Sequence, residues 1–378
     1  MSHARPVRPV VCLLCPGRGS RAGGIGRFVE ALTAEAGGID PAIDLRLLDT
    51  RGSGHILFAP FYFARALGCV VRLAGGDRPV LLHLNLAERG STVRKLVASG
   101  LAALLGLPTV IHLHASDYGG YFAALPAAGR RAIRWMFRRS RRVVVLGEVW
   151  RRVVVATVEV PAAQVVIIPN GVPRRPPGAC RQAAAVPEIL FLGRLEPRKG
   201  VPELLHALAD PALRALPWRA TLAGDGDATR WLALAESLGI AGRIGFPGWL
   251  CGDETCRRLA GATLLTLPSH AEGLPMAVLE ALAAGVPVVT TPVGALGGAL
   301  ADGDSVLFVP PGDVPALSAA LRRLLTDPAL AGRIGAAGQR VFEHDFDIAV
   351  IARRFIALWR DCLETGRQAA PHPAGWNR

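Results

Sequence analysis

Residues Pro268 to Thr290 read PSHAEGLPMAVLEALAAGVPVVT, and an apolar run ending at Leu267 precedes them. A strand ends there, a polar loop follows, Pro275 suits the first turn of a helix, and a second apolar strand runs from Val286 to Thr290. Strand, loop, helix, strand is the repeating unit of a parallel sheet covered on both faces. Backbone N–H groups in such a loop, together with the helix dipole, form an anion site. Glu272 lies in the loop, and Glu280 stands about a turn and a half into the helix. A carboxylate inside VLEALAAG is unusual, and a ribose diol suits it because a carboxylate accepts both hydroxyl protons. A capping Glu272 and a solvent-facing Glu280 would explain the same residues without a ligand.

The pattern extends in both directions. After a Pro-rich stretch, Pro173 to Pro187, the second half predicts strands at Glu188–Leu192, Arg219–Ala223, Ile244–Phe246, Thr263–Leu267, Val286–Thr290 and Ser305–Val309. The first half predicts strands at Pro9–Cys15, Asp44–Leu48, Val80–Leu86, Thr109–His114, Val143–Leu146 and Val165–Ile168, with helices at Arg27–Ala36, Thr92–Leu105 and Ala127–Arg139. This is α/β: two doubly wound, Rossmann-like domains, 1–175 and 176–346. A closing helix over 347–367 is expected to pack back on the first domain, and a disordered tail to occupy 368–378. Open parallel sheets bind ligands beyond the carboxyl ends of their strands, so an interdomain cleft is the expected site.

Phe191 to Gly200 reads FLGRLEPRKG: a strand end, a Gly turn, then cations at the mouth of a helix. Arg194 and Lys199 can converge on one diphosphate. A departing nucleoside diphosphate gains negative charge that needs a metal or fixed cations. Arg supplies a bidentate fork and Lys a point charge.

The chain has 378 residues, 51% of them hydrophobic, enough for two cores. Its early apolar run, Val10–Cys15, is too short for a signal segment, and no stretch reaches the roughly 18 apolar residues of a membrane span. Seven cysteines, an odd number, argue against a disulfide framework. Cys12 and Cys15 lie within a buried strand rather than at the exposed helix start that a redox pair prefers. A cytosolic protein is expected. Residues 1–175 hold 24 Lys and Arg against 10 Asp and Glu, while residues 176–378 hold 19 against 20. A basic half suits nucleic acid, anionic lipid or a phosphorylated substrate.

Taken in order, IPNGV (Ile168–Val172), FLGRLEPRKG, Ala223-Gly224-Asp225-Gly226-Asp227, Phe246-Pro247-Gly248-Trp249 and the segment from Pro268 through EGLPMAVLEALAAGVPVVTTPVGA resemble glycosyltransferase family 4, the retaining GT-B enzymes. The resemblance covers nearly the whole chain and is strongest between Ile167 and Pro311. It implies a GT-B fold and transfer of a hexose from a nucleotide-diphosphate sugar, GDP-mannose or a UDP-sugar. Arg194 and Lys199 would bind the donor diphosphate, Glu280 the ribose, and Glu272 would sit by the transferred sugar. Gly273, Leu274, Val278 and Leu279, with nearby backbone N–H groups, would support the donor. Gly23 and Gly24 match a Gly-Gly turn that lets backbone approach it, though a tight turn alone would also use them. The resemblance assigns no protein nucleophile, no metal and no cofactor. Asp225-Gly226-Asp227 and Asp302-Gly303-Asp304 read as DxD, yet both fall at turns of the second half.

In the first half, strand alternation puts His112 and His114 on one face. His114, at the strand's carboxyl end, resembles the family's histidine near the reacting sugar, whereas His112 reads as a core residue. Asp117 contacts the acceptor or caps the next helix. Arg94 and Lys95 occupy the first turns of a helix, where the dipole disfavours cations. With Ser91 they would grip the phosphate of a lipid-linked oligosaccharide, or form a solvated face. HLNLAERGSTVRK and HLHASDY look most like exopolysaccharide or capsule transferases.

Gly129 to Arg142, GRRAIRWMFRRSRR, has the pattern of a helix lying on an anionic membrane, and FAPFYF (Phe58–Phe63) adds aromatic residues. The alternative is an ordinary packed helix with a basic outer face. No nucleic-acid-binding motif appears, so the expectation is peripheral attachment at the inner face of the plasma membrane. A GT-B nucleotide-sugar epimerase and a non-enzymatic basic membrane- or nucleic-acid-binding protein are the alternatives. A Rossmann dehydrogenase fits poorly, because GRGSRAGGIG departs from the dinucleotide fingerprint.

Overall fold

The computed structural model describes residues 8–17, 23–52, 55–174 and 186–368. The described residues divide into two compact units: those within 8–145, 151–168 and 351–368 form one, and those within 146–150 and 169–350 form the other. Both boundaries differ from the sequence reading. Residues 169–174 group with the second unit, and only from Ile351 does the closing helix group with the first.

The first unit holds β1 (Val10–Cys15), β2 (Asp44–Asp49), β3 (Val80–Leu86), β4 (Thr109–Leu113), β5 (Arg142–Val145) and β6 (Val165–Ile167). They form one sheet in the order β2-β1-β3-β4-β5-β6, and every pairing is parallel. The second unit holds β7 (Glu188–Leu192), β8 (Arg219–Ala223), β9 (Ile244–Gly248), β10 (Leu264–Leu267), β11 (Val288–Thr290) and β12 (Leu307–Phe308). Their order is β12-β11-β10-β7-β8-β9, again parallel throughout. β1, β3 and β4 are buried along their whole length. That burial is why they read as unbroken apolar runs rather than alternating ones. In each sheet the first strand lies between neighbours reached by opposite windings, β2 and β3 about β1, β8 and β10 about β7. Loops diverge at such switch points and leave room for a ligand.

The closing helix runs Ile348–Gln368, one residue past its expected end; the rest of the expected tail, 369–378, lies outside the described residues. Phe355 and Trp359 are fully buried, contributing roughly 1.5–3 kcal/mol for each such side chain. The Trp359 indole donates to His83 Nδ1 at 3.0 Å, and Arg360 pairs with Asp40 at 2.7 Å. The helix over Ala127–Arg139 buries Ile133, Met136 and Phe137. Its apolar face is therefore part of the core rather than free for a bilayer, which corrects the surface-helix reading. Large apolar side chains are exposed elsewhere, at Leu57, Phe58 and Phe61. Cys12 is buried, and that burial pushes its thiol up to about 12, as an inert core residue requires. Among the described residues, no helix is long and apolar enough to cross a membrane.

Candidate active site

In the second unit β7 and β10 are neighbours, so the loops after them meet. Gly200 has φ +74°, and a Cβ there would lie 2.1 Å from the Pro268 carbonyl oxygen; only Gly allows this approach. Two further contacts join the loops: His270 N–H donates to Arg198 O at 2.9 Å, and the Arg198 guanidinium donates to Ala271 O at 2.9 Å. The result puts Lys199 Nζ 2.5 Å from Glu272 Oε1, and Ser269 Oγ donates to the same oxygen at 2.8 Å. The two charged side chains are 14% and 8% exposed. Lys199, expected on a diphosphate, and Glu272, expected by a sugar, thus form one partly buried ion pair. Arg194 is exposed at the end of β7 and forms no ion pair with a described residue. Glu280 is half-buried in the helix Met276–Ala283.

Val278 and Leu279 lie in the first turns of that helix. Both side chains are fully buried, and both backbone N–H groups donate to Pro275 O, at 3.2 and 3.4 Å. These bonds hold the helix start in place. Gly273 and Leu274 are buried, and the Gly273 carbonyl accepts from Trp150 Nε1 at 3.1 Å and from Ala295 N–H at 2.9 Å. One carboxylate of each DxD turn serves backbone: Asp227 caps the helix Ala228–Ser237 through Arg230 N–H at 3.1 Å, and Asp302 accepts from Phe308 N–H at 2.8 Å.

In the first unit β3 and β4 pair with Asn85 opposite His112. This brings His83 and Asn85 onto the face that carries His112 and His114. Trp359 has only a donor to offer, so His83 Nδ1 accepts from it. Burial pushes His83 down to about 3, so the ring is neutral and its remaining proton sits on Nε2. That nitrogen donates to His112 Nδ1 at 3.3 Å. Burial, then His114 and His83, also hold His112 well below its ordinary value. His112 and His83 are core residues. At His114, Nε2 lies 2.9 Å from Asn85 Oδ1, while the Asn85 amide reaches Leu14 O at 3.4 Å. Asn85 went unremarked in the sequence, although the alternation that pairs His112 with His114 also pairs His83 with Asn85.

Gly23 has φ −55°, and a Cβ there would meet nothing within 4 Å among the described residues. Neither its backbone torsion nor packing against the described residues requires glycine at this position. Gly24 opens the helix Gly24–Ile39; residues 18–22 of the Gly-rich turn lie outside the described residues.

Of the expected acceptor residues, Ser91 Oγ accepts from Ala87 N–H at 3.2 Å. Arg94 is half-buried. Lys95 is fully buried with Nζ 3.0 Å from Thr50 Oγ1. Burial, then Arg94, push Lys95 down to about 7, against smaller opposing effects of Cys15 and Asp49. Burial, then Arg51, lower Arg94. Lys95 is therefore not on a solvated helix face. Asp117 caps the helix Tyr118–Ala123 by accepting from Gly120 N–H at 3.0 Å. Glu88, to which the sequence reading gave no role, accepts from Ser116 and Asp117 N–H at 2.9 and 3.0 Å. It ties the loop after β3 to the loop after β4. The adjacent Arg89 has φ 56°, strained backbone of the kind found at functional turns.

Two family models match the chain: a glycosyl transferase 4-like domain over residues 9–171 and glycosyl transferases group 1 over 186–327. Glycogen synthase of Mycobacterium tuberculosis is 31% identical over 72% of this chain and 68% of its own length. The 2-deoxystreptamine glucosyltransferase of Streptomyces kanamyceticus is 30% identical over 75% and 77%. Among solved structures, sucrose-phosphate synthase of Thermosynechococcus elongatus shares the fold with a TM-score of 0.78 at 21% identity, over 95% of this chain and 100% of that one. Anabaena HepE in complex with UDP-glucose does so with a TM-score of 0.72 at 17% identity, over 93% and 99%. The two parallel sheets, the loops converging after β7 and β10, and relatives at this identity over this length lead to one assignment: the chain belongs to the GT-B glycosyltransferases, a glycosyl transferase 4-like domain followed by a group 1 domain.

Proposed function

We propose that the protein is a retaining, metal-independent hexosyltransferase. It takes the sugar from a nucleotide-diphosphate donor, GDP-mannose or a UDP-sugar, and passes it to a lipid-linked oligosaccharide in exopolysaccharide or other cell-surface glycan synthesis. The observation that carries this reading is the constellation after β7 and β10. Lys199, Glu272 and Ser269 are bonded together, with Arg194 exposed on the same loop as Lys199 and Glu280 on the helix that follows Glu272. Fixed cations stabilise a leaving diphosphate without a metal, and a carboxylate beside them can accept sugar or ribose hydroxyls. The departing phosphate takes the acceptor proton, so no protein nucleophile is assigned. Glycine at 23, which the fold does not require, supports close backbone approach to the donor. The name of HepE's ligand supports UDP-glucose as the first donor to try.

Ser91, Arg94 and Lys95 are the proposed acceptor-phosphate group. Lys95 has three donors and, among the described residues, one bonded partner, Thr50, and a buried cation is stabilised by an anion. Contact with an anionic membrane at the cytoplasmic face rests on the basic first half and the exposed Leu57, Phe58 and Phe61. An epimerase would turn over donor with no acceptor present, and that distinguishes it.

The test is a donor screen by thermal shift and released diphosphate. It uses GDP-mannose, UDP-glucose, UDP-galactose and UDP-N-acetylglucosamine, with EDTA, on wild type and Glu280→Ala. One donor should stabilise the wild type by about 2.7 kcal/mol at a hundred times its Kd, with the effect lost in the variant. A screen in which no nucleotide sugar binds would overturn the reading.

A further inference from the structure

At the amino ends of β4 and β5, opposite the carboxyl ends that carry the candidate catalytic residues, lies a cavity of about 220 Å³. Ser99, Ala103, Thr109, Met136, Arg139 and Arg141 are among the residues that line it. The helices Gly90–Leu104 and Ala127–Arg139 form its walls.

Two features of the cavity are unexplained by the fold. The Ser99 hydroxyl is buried, at 4% residue exposure, with no hydrogen-bond partner among the described residues. Buried hydroxyls are nearly always bonded, and this one belongs to a residue that lines the cavity. Neither Arg139 nor Arg141 forms an ion pair with a described residue, so two guanidiniums share one opening. One cation is favoured at a helix carboxyl end, which accounts for Arg139 at the end of Ala127–Arg139. Arg141 lies beyond that helix, and the dipole does not account for a second charge.

We infer that this cavity binds a phosphate ester, with the Ser99 hydroxyl donating to one phosphate oxygen and Arg139 and Arg141 holding the others. Two guanidinium forks match phosphate geometry, and a hydroxyl beneath them supplies the third donor. A lipid phosphate and a soluble phosphate ester offer the same headgroup chemistry. The site does not depend on the donor or the acceptor assignment, because none of its residues belongs to either.

The test uses the full chain and two probes at matched ionic strength. They are glycerol 3-phosphate, followed by thermal shift, and phosphatidylcholine vesicles with and without phosphatidic acid, followed by co-sedimentation. Arg139→Ala/Arg141→Ala removes the forks, Ser99→Val removes only the hydroxyl, and Arg131→Ala/Arg353→Ala removes equal charge from exposed positions outside the cavity. The expected result is loss of about tenfold in affinity in the cavity pair and a smaller loss in Ser99→Val, with the control pair unchanged. Unfolding midpoints without ligand show that each variant is folded. If glycerol 3-phosphate and vesicles both respond, the ligand is a lipid headgroup; if only glycerol 3-phosphate responds, it is a soluble ester. Absence of binding to either probe overturns the inference. So does an equal loss in the control pair, which would mean charge attraction without a site.

Discussion

Lys199 Nζ and Glu272 Oε1 lie 2.5 Å apart, with Ser269 Oγ donating to the same oxygen. The pair is reached from two loops 73 residues apart in sequence and is mostly shielded from water. Removing one partner leaves a partly buried charge unpaired, whereas replacing both with neutral groups of similar shape does not. Lys199→Ala should cost roughly 2–4 kcal/mol of stability and lower turnover about 10²–10³-fold, the usual effect of deleting a cation that stabilises a leaving group. Lys199→Met with Glu272→Gln should recover most of the stability and none of the turnover. Urea unfolding and diphosphate release read the two effects separately. An active double variant would mean that the pair is structural only.

The glycines offer a second separation of fold from ligand. Gly294 has φ +62°, and a Cβ there would stand 2.2 Å from the Glu272 carbonyl oxygen. Gly294→Ala should therefore destabilise the second unit by at least about 2–3 kcal/mol through strain and clash. Gly23→Ala meets nothing and needs no unusual torsion, so its stability should stay within about 1 kcal/mol of wild type. Its donor affinity should fall nonetheless if the donor approaches that backbone. Unchanged donor affinity in Gly23→Ala would remove the N-terminal glycines from the donor site.

Lys95 gives a pH signature. Its folded pKa is lowered from 10.5 to about 7, so between those values the unfolded chain binds a proton that the folded chain does not. Stability linked to Lys95 therefore rises as pH increases from about 7 to about 10.5, and below about 7 the full penalty for burying the charge is present. Arg94, Cys15, Asp49 and Thr50 are the groups around it. Lys95→Met should be more stable than wild type at pH 6, with the difference vanishing near pH 10.5. Thr50 keeps a partner in the variant because its hydroxyl also donates to Cys15 O at 2.9 Å. The same variant should bind a phosphorylated acceptor more weakly. A gain in stability with unchanged acceptor affinity would make Lys95 a misplaced core cation and remove it from the acceptor site.

The strands were legible because parallel strands buried on both faces leave unbroken apolar runs, and Gly or polar turns end them. Most expected ends therefore fall within one or two residues of the observed ones. The residues at β7 and β10 were legible because loops at adjacent carboxyl ends must converge. Two kinds of information were not local. Helix periodicity marked Ile133, Met136 and Phe137 as one face, yet periodicity does not say whether protein or lipid covers that face; here it is protein. Likewise the two cations after Ser91 stood out, but only tertiary packing reveals that Lys95 points inward to Thr50. Asn85 was missed for another reason: an amide in the apolar run VLLHLNL has no meaning until its strand neighbour is known.

That amide now bears on His114. The Asn85 side-chain N–H₂ reaches Leu14 O, so its oxygen faces His114 and accepts from Nε2. A neutral His114 consequently carries its proton on Nε2 and presents Nδ1 as an acceptor. Asn85→Leu removes that acceptor and with it the bond to the Nε2 proton. Asn85→Asp keeps an acceptor of the same shape but adds a negative charge, which favours the imidazolium. If His114 works on the sugar or the acceptor, Asn85→Leu should lower kcat roughly 10–100-fold with little change in donor KM. Asn85→Asp should retain more activity but shift the pH profile upward, because the imidazolium then persists to higher pH. Matching nuclear magnetic resonance titrations of His114 would tie the shift to that ring. Wild-type kcat and pH profile in both variants would show that the Asn85–His114 bond serves the core of the first unit and not the reaction.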